Sequence, residues 1–251
     1  MLAAHTPVPE TTLGRIHPPT LNNLLASLPA DVQGRLLPEM ELVSLSLGQV
    51  LQEPGTKWRY GYFPTTCILS KIYLLETGAT AEIAVIGREG MASICLLMGG
   101  DSMPNQTVVK SAGYAYRVKG SILKEEFDRS PASQILFLRY TQALLTQMAQ
   151  TAVCNRHHTV DQQLCRWLLL NLDRISTSEL IMTQELIASM LGVRREGITE
   201  AAGNLQDAGL IRYSRGHIHI LDRKGLEARA CECYAIVKRE FDRLLPNITA
   251  A

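Results

Sequence analysis

Apolar and polar positions change rhythm along this chain, and each change predicts a different kind of element. Over residues 21–37, Leu24, Leu25, Leu28, Leu36 and Leu37 lie at helical spacing. From about 42 to 118 the pattern shortens to β-rich runs at 68–75, 82–86, 107–109 and 114–118. Gly48, Pro54-Gly55, Gly61, Gly78, Gly87, Gly90, Gly99-Gly100 and Gly113 punctuate them. Short strands at this spacing predict a sandwich, roll or barrel. A helical period returns at Ser130-Pro131, where proline suits a first turn. Ile135, Leu138, Gln142, Leu145, Ala149 and Ala152 then recur at alternating intervals of three and four. That is the seam of a parallel two-stranded coiled coil, with Gln142 as a polar register point. Phe137, Leu144 and Met148 form another face that suits packing on the β-rich part. Residues 155–159, with Arg156, His157 and His158, are a polar interruption read as a hinge. Residues 160–175 form an amphipathic helix with Leu164, Trp167, Leu168 and Leu172 inward.

Residues 182–221 read as one unit. Thr183 caps a helix from Gln184, Glu185 lies in its first turn, and Leu186, Ile187 and Met190 give it an apolar face. Gly192 is free to take the left-handed geometry of a tight corner. A second helix follows from about Arg194 to Ala208, burying Ile198, Ala201, Ala202 and Leu205. Its outer face carries Arg194, Arg195, Glu196, Thr199 and Glu200. Two short strands, 210–213 and 217–221, flank a Ser214-Arg215-Gly216 turn. The pattern is a helix–turn–helix with a β-hairpin wing. In such a unit the start of the second helix enters the major groove, where an arginine can give paired hydrogen bonds to guanine. A final helix is predicted over 224–245.

These residues resemble the winged-helix domain of the Crp/Fnr family of bacterial transcription regulators. The resemblance covers roughly 21–245, because Gly48-Gln49-Val50-Leu51 and Val85-Ile86-Gly87-Arg88-Glu89-Gly90 match that family's cyclic-nucleotide-binding β-roll in position and character. It implies an α+β chain: a loose tail over 1–20, a jelly-roll-like sensor β-roll over 21–130, a dimerisation helix and hinge over 131–158, and a winged helix–turn–helix with a C-terminal helix over 159–251. Arg195 and Glu196 fall where the family reads base edges. Glu200 stands where relatives carry a second reading arginine, and a carboxylate there accepts from cytosine instead. Thr183, Arg194, Thr199, Arg212, Ser214 and Arg215 are the expected backbone contacts. The implied partners are double-stranded DNA, a second copy of the chain and RNA polymerase.

The ligand site departs from the family. The matching region holds Met91 where a ribose-binding glutamate is expected, and no arginine lies between Gly90 and Thr107 to hold a phosphate. An effector pocket there would involve Met91, Ser93, Asn105, Gln106 and Thr107, beside the apolar Ile94, Leu96, Leu97 and Met98. This argues against cyclic AMP and leaves open another small molecule or none. No cysteine precedes Cys67, so the family's N-terminal iron–sulfur centre is not expected.

Composition changes the picture little. The 251 residues are 46% hydrophobic and 20% charged, as in ordinary globular proteins. No apolar run is long enough to span a bilayer, and residues 1–19 lack a secretion-signal pattern, so the expected location is the cytoplasm. The net charge is +1, and basic and acidic residues balance between 179 and 224. That balance keeps open a winged helix that docks a protein. A cupin-like metal enzyme is set aside, because no histidine lies between His17 and His157. His217 and His219 share a strand face and suit phosphate or plain surface better than metal. Cys231 and Cys233, two apart on one helix, point different ways and suit a metal poorly. The expected cofactor set is empty, and no metal ligands are assigned.

Overall fold

The computed structural model describes residues 17–175 and 179–245. The expected tail falls outside the described residues up to residue 16. The single lead-in helix is split into α1 (Asn23–Ala26) and α2 (Ala30–Leu36). Pro29 is the reason, since it stands extended ahead of α2 and disfavours helix in the residue before it. Leu24, Leu25, Val32 and Leu36 are still buried.

Seven strands follow: β1 (Glu41–Leu45), β2 (Val50–Gln52), β3 (Tyr60–Pro64), β4 (Ile68–Leu74), β5 (Thr80–Ile86), β6 (Gln106–Ser111) and β7 (Gly113–Lys119). They form two antiparallel sheets, ordered β1-β7-β3 and β2-β6-β4-β5. Residues 68–72 of β4 are all buried, so both faces of this strand are covered.

Helix α3 (Gly120–Arg129) leads into the long α4 (Pro131–His157), capped by Ser130. Phe137, Tyr140, Leu144 and Gln147 of α4 are buried, whereas Ile135, Leu138, Gln142, Leu145, Ala149 and Ala152 all face outward. The helix runs through most of the expected hinge, and only His158 and Thr159 leave it. Thr159 and Gln162 then build a capping box on α5 (Val160–Leu172).

The remainder comprises β8 (Glu179–Ile181), α6 (Gln184–Leu191), α7 (Arg195–Asp207), β9 (Ile211–Ser214), β10 (His217–Ile220), α8 (Arg223–Arg229) and α9 (Glu232–Leu244). Strand β8 makes the wing a three-stranded sheet, β8-β10-β9, rather than a bare hairpin. The predicted closing helix is two helices, because Ala230 and Cys231 are extended. The break turns α9 back along α4 in antiparallel sense: Cys231 lies beside Cys154 (Sγ to Sγ 3.5 Å), and Glu240 accepts from Gln142 Nε2 at 3.2 Å. It also overturns the expectation that Cys231 and Cys233 diverge. Cys231 is the N-cap residue and not a helical one, so both thiols are buried beside Cys154.

A buried polar joint holds the β-roll to the C-terminal part. Lys110 of β6 donates to both oxygens of Glu82 on β5 (3.0 and 2.8 Å), and Ser70 of the intervening β4 also donates to that carboxylate. Trp167 of α5 closes over the pair. Its indole Nε1–H donates to Glu82 Oε1 at 2.9 Å, and Lys110 Nζ sits 4.0 Å from its ring centre. Burial pushes Lys110 down to about 8, against the pull of the Glu82 carboxylate. Beside this joint, Arg174 donates to Glu89 (2.7 Å) and to Gln147 (3.1 Å). Gly87 and Gly90 of the Gly-Arg-Glu-Gly run make room. A Cβ on Gly87 would meet Arg174 at 2.6 Å, and one on Gly90 would meet Tyr140 at 2.2 Å.

Glu82→Gln removes the counter-charge and leaves Lys110 buried alone. The expected cost is about 3–5 kcal/mol, read as a fall in the urea unfolding midpoint at pH 7. An unchanged midpoint would show that the joint contributes nothing to stability.

Candidate nucleic-acid interface

The outward face of the helix–turn–helix is set by local sequence chemistry. The Thr183 side chain accepts from the Leu186 N–H at 3.2 Å and starts α6. Gly192 ends α6 in the left-handed region (φ 67°, ψ 32°), which turns the chain within three residues into α7. Helix α7 buries Ile198, Ala201, Ala202 and Leu205, the stripe the sequence predicts. That burial fixes its rotation, so Arg195, Glu196, Thr199 and Glu200 are turned outward. The side chain of Arg195 is 64% exposed, with only a loose 3.9 Å approach to Glu185. Thr199 donates to Gln184 Oε1 at 2.8 Å, which ties α7 to the start of α6. Arg194 is the N-cap residue of α7 and is exposed.

The wing stands beside this face. Its tip, Ser214-Arg215, is exposed, and Arg212 points outward from β9. Arg215 has φ 51°, a left-handed conformation rare outside glycine, and Gly216 follows at φ 85°. Two bonds pin the turn: Met182 N–H donates to Gly216 O (2.6 Å), and the Tyr213 hydroxyl donates to Met182 O (2.6 Å). The tip cation is therefore presented by a short, fully tied hairpin.

His217 and His219 share an exposed strand face, as the sequence predicts, and that face is paired. Both approach Glu179 of β8, with His217 Nδ1 at 2.5 Å and His219 Nε2 at 3.5 Å from Oε1. The bond from His217, and then the charge of His219, hold the Glu179 carboxyl below its usual range. Sequence reading missed this pairing because it did not foresee β8.

The residues of the expected effector pocket are largely buried inside the β-roll. Met91, Ser93, Asn105 and Thr107 are each at most 1% exposed, while Gln106 is half-buried and donates to Glu53 at 2.8 Å. Ser93 Oγ, Asn105 Oδ1 and Thr107 Oγ1 have no hydrogen-bond partner among the described residues. Lys71, in register with Thr107 across β4 and β6, is buried as well, and burial lowers it to about 8. The stretch between Gly90 and Thr107 supplies no cation to this region. Lys71 comes from a different strand. A cavity of about 620 Å³, lined in part by Arg88, Lys110, Arg174 and Leu180, lies instead between the β-roll and the wing domain.

Comparison with known proteins agrees with this architecture. Residues 162–229 match the family model described as the Crp-like helix-turn-helix domain. No curated protein matches the sequence. Among solved structures, FixK2 from Bradyrhizobium japonicum is 17% identical with a TM-score of 0.66, over 76% of this chain and 98% of that one. A protein from Eubacterium rectale, described as a transcriptional regulator of the Crp/Fnr family, is 19% identical with a TM-score of 0.64, over 83% and 98%. The c-di-GMP responsive global regulator CLP of Xanthomonas campestris is 14% identical with a TM-score of 0.62, over 77% and 100%. The chain therefore has the fold of a Crp/Fnr-type transcription regulator and carries a Crp-like helix–turn–helix domain. Among the described residues, no helix is long and apolar enough to cross a membrane.

The strained wing tip makes a measurable prediction. Left-handed geometry costs an L-residue roughly 1–2 kcal/mol, part of which glycine gives back through its freedom in the unfolded chain. Arg215→Gly is expected to raise stability by about 1 kcal/mol or slightly less in chemical unfolding. A loss of stability would mean that the arginine is held there by contacts stronger than the strain.

Proposed function

We propose that this protein is a cytoplasmic, non-enzymatic transcription regulator that binds a pseudo-palindromic DNA site as a homodimer and acts with RNA polymerase. The observation that carries the proposal is the outward face at the start of α7, with Arg195, Glu196 and Glu200, set beside a wing tipped by Arg215. Arg195 reads guanine and the carboxylates read cytosine. Thr183, Arg194, Thr199, Arg212, Ser214 and Arg215 hold the phosphate backbone. The exposed row on α4 supports the dimer: Ile135, Leu138 and Leu145 are each more than half exposed in the single chain. A second copy packed on that row would place two recognition helices about 34 Å apart, in successive major grooves.

Selection from random duplex DNA at two salt concentrations tests the reading, and a two-fold symmetric motif is the expected result. Failure to enrich any sequence at either salt would favour a protein-docking role. On the selected site, Arg195→Ala is expected to cost about 1–3 kcal/mol, concentrated at one base pair of each half-site. Arg215→Ala is expected to weaken all sequences alike and to lower the salt slope by about 1. Leu138→Glu combined with Leu145→Glu is expected to halve the mass seen in sedimentation; an unchanged mass would remove α4 from the interface.

A second reading, gating by a small molecule other than cyclic AMP, rests on the buried oxygens of Ser93, Asn105 and Thr107, which have no hydrogen-bond partner among the described residues, and on the buried Lys71 in register with Thr107. Calorimetry with cyclic AMP, cyclic GMP and cyclic di-GMP separates the possibilities. Heat from cyclic AMP would overturn its exclusion here.

A further inference from the structure

Four potential ligands converge where the end of α4 meets the start of α9. The thiols of Cys154, Cys231 and Cys233 and the imidazole of His158 all lie within 4.8 Å of one another. The three cysteines form a buried group of their own, apart from the main apolar core, and the His158 side chain is 13% exposed. Cys154 belongs to the last turn of α4, and His158 is its C-cap residue. Cys231 caps α9, and Cys233 lies in its first turn. The arrangement thus depends on the helix break that sequence reading did not foresee.

We propose that Cys154, His158, Cys231 and Cys233 bind a single divalent ion of the zinc class, one per protomer, which clamps α9 to the end of the long helix. Bonds of about 2.3 Å to sulfur and 2.0–2.1 Å to nitrogen at tetrahedral angles put two sulfurs about 3.75 Å apart, and sulfur and nitrogen about 3.6 Å apart. Cys154 and Cys231 Sγ stand 3.5 Å apart, and Cys233 Sγ stands 3.6 Å from His158 Nδ1. Those spacings suit one ion. An iron–sulfur cluster has to spread its thiolates over several metal atoms. Three sulfurs and one imidazole nitrogen select zinc over magnesium or calcium, which take oxygen.

Two features outside the four ligands fit the same ion. His158 turns Nδ1 toward Cys233, while its Nε2 lies 3.2 Å from the Glu232 carboxylate. A carboxylate behind a metal-bound imidazole fixes its tautomer and orientation. The second feature is Arg166, which is 3% exposed. Its Nη1 donates to Thr151 at 3.3 Å, its Nε has no hydrogen-bond partner among the described residues, and its charge acts on Cys154 and Cys233. Three thiolates, a neutral imidazole and a dication sum to one negative charge, which the buried guanidinium balances. The cysteines bind as thiolates, any thiol protons they still carry pass to water, and no electrons are transferred.

The test is a cobalt(II) titration of the reduced full-length protein, followed by absorbance. The expected result is one cobalt per protomer, with strong thiolate-to-metal bands in the near ultraviolet and intense visible bands of a tetrahedral ion, both abolished by added zinc. Cys233→Ser and His158→Asn are expected to weaken cobalt binding at least tenfold while circular dichroism stays that of the folded chain. Cys67→Ala, in the β-roll, is expected to leave it unchanged. A weak, six-coordinate spectrum, or less than half an ion bound at saturation, would overturn the site. So would a Cys154–Cys231 disulfide recovered from protein purified without oxygen. The readout does not involve DNA, so its failure and a failure of the DNA-binding proposal are separate results.

Discussion

The structure depends first on a charge that it buries. Lys110 and Glu82 stand on strands separated by β4, inside the contact between β-roll and C-terminal domain, with neither side chain more than 5% exposed. Desolvating two ions is expensive, and their attraction offsets that cost only when the remaining hydrogen-bonding positions are filled. Here Ser70 fills one from within the sheet, and Trp167 fills another from the opposing domain. The ion pair is therefore complete only when α5 is docked. An apolar contact would tolerate sliding, whereas an indole N–H aimed at one carboxylate oxygen does not. The pair fixes where the C-terminal domain sits as well as how strongly it is held.

Other contacts extend that constraint along the same boundary. Arg174 bridges Glu89 of the β-roll and Gln147 of α4, and Gln147 in turn donates to the Val85 carbonyl at 3.1 Å. Tyr140 of α4 donates to the Met91 carbonyl at 2.9 Å. The run from Val85 to Met91 therefore serves as a socket for both the long helix and the end of α5. Its glycines are there because side chains of other elements occupy the space where a Cβ would be. What the sequence presents as a β-roll signature is, in three dimensions, the seat of the domain joint.

Legibility in the sequence followed the range of the interactions. The Thr183 cap, the left-handed Gly192 and the apolar stripe of α7 are all settled within a few residues, and the sequence pattern was enough to place them. The exposed row on α4 was legible for the same reason, since helical period alone assigns its face. Features made by distant partners were not. Lys71 and Lys110 sit in strands, where a lysine ordinarily marks the solvent side, and only tertiary packing buries them. Strand β8 is three residues long and exists because β10 pairs with it. The break at Ala230–Cys231 has neither proline nor glycine to announce it, so nothing local indicated that four metal-ligating side chains would meet.

These features place unusual demands on α4. One face takes Tyr140 and Gln147 into the β-roll joint, another leaves Ile135, Leu138 and Leu145 exposed, and the end carries Cys154 and His158 toward α9. The position of the C-terminal domain relative to α4 is then set by two attachments to one long helix. One is the Glu82–Lys110–Trp167 joint, reached through the β-roll. The other is the α4–α9 contact, reached directly. Between them the chain passes through only His158 and Thr159 outside a helix, too short a connection to absorb a large rotation without releasing one attachment.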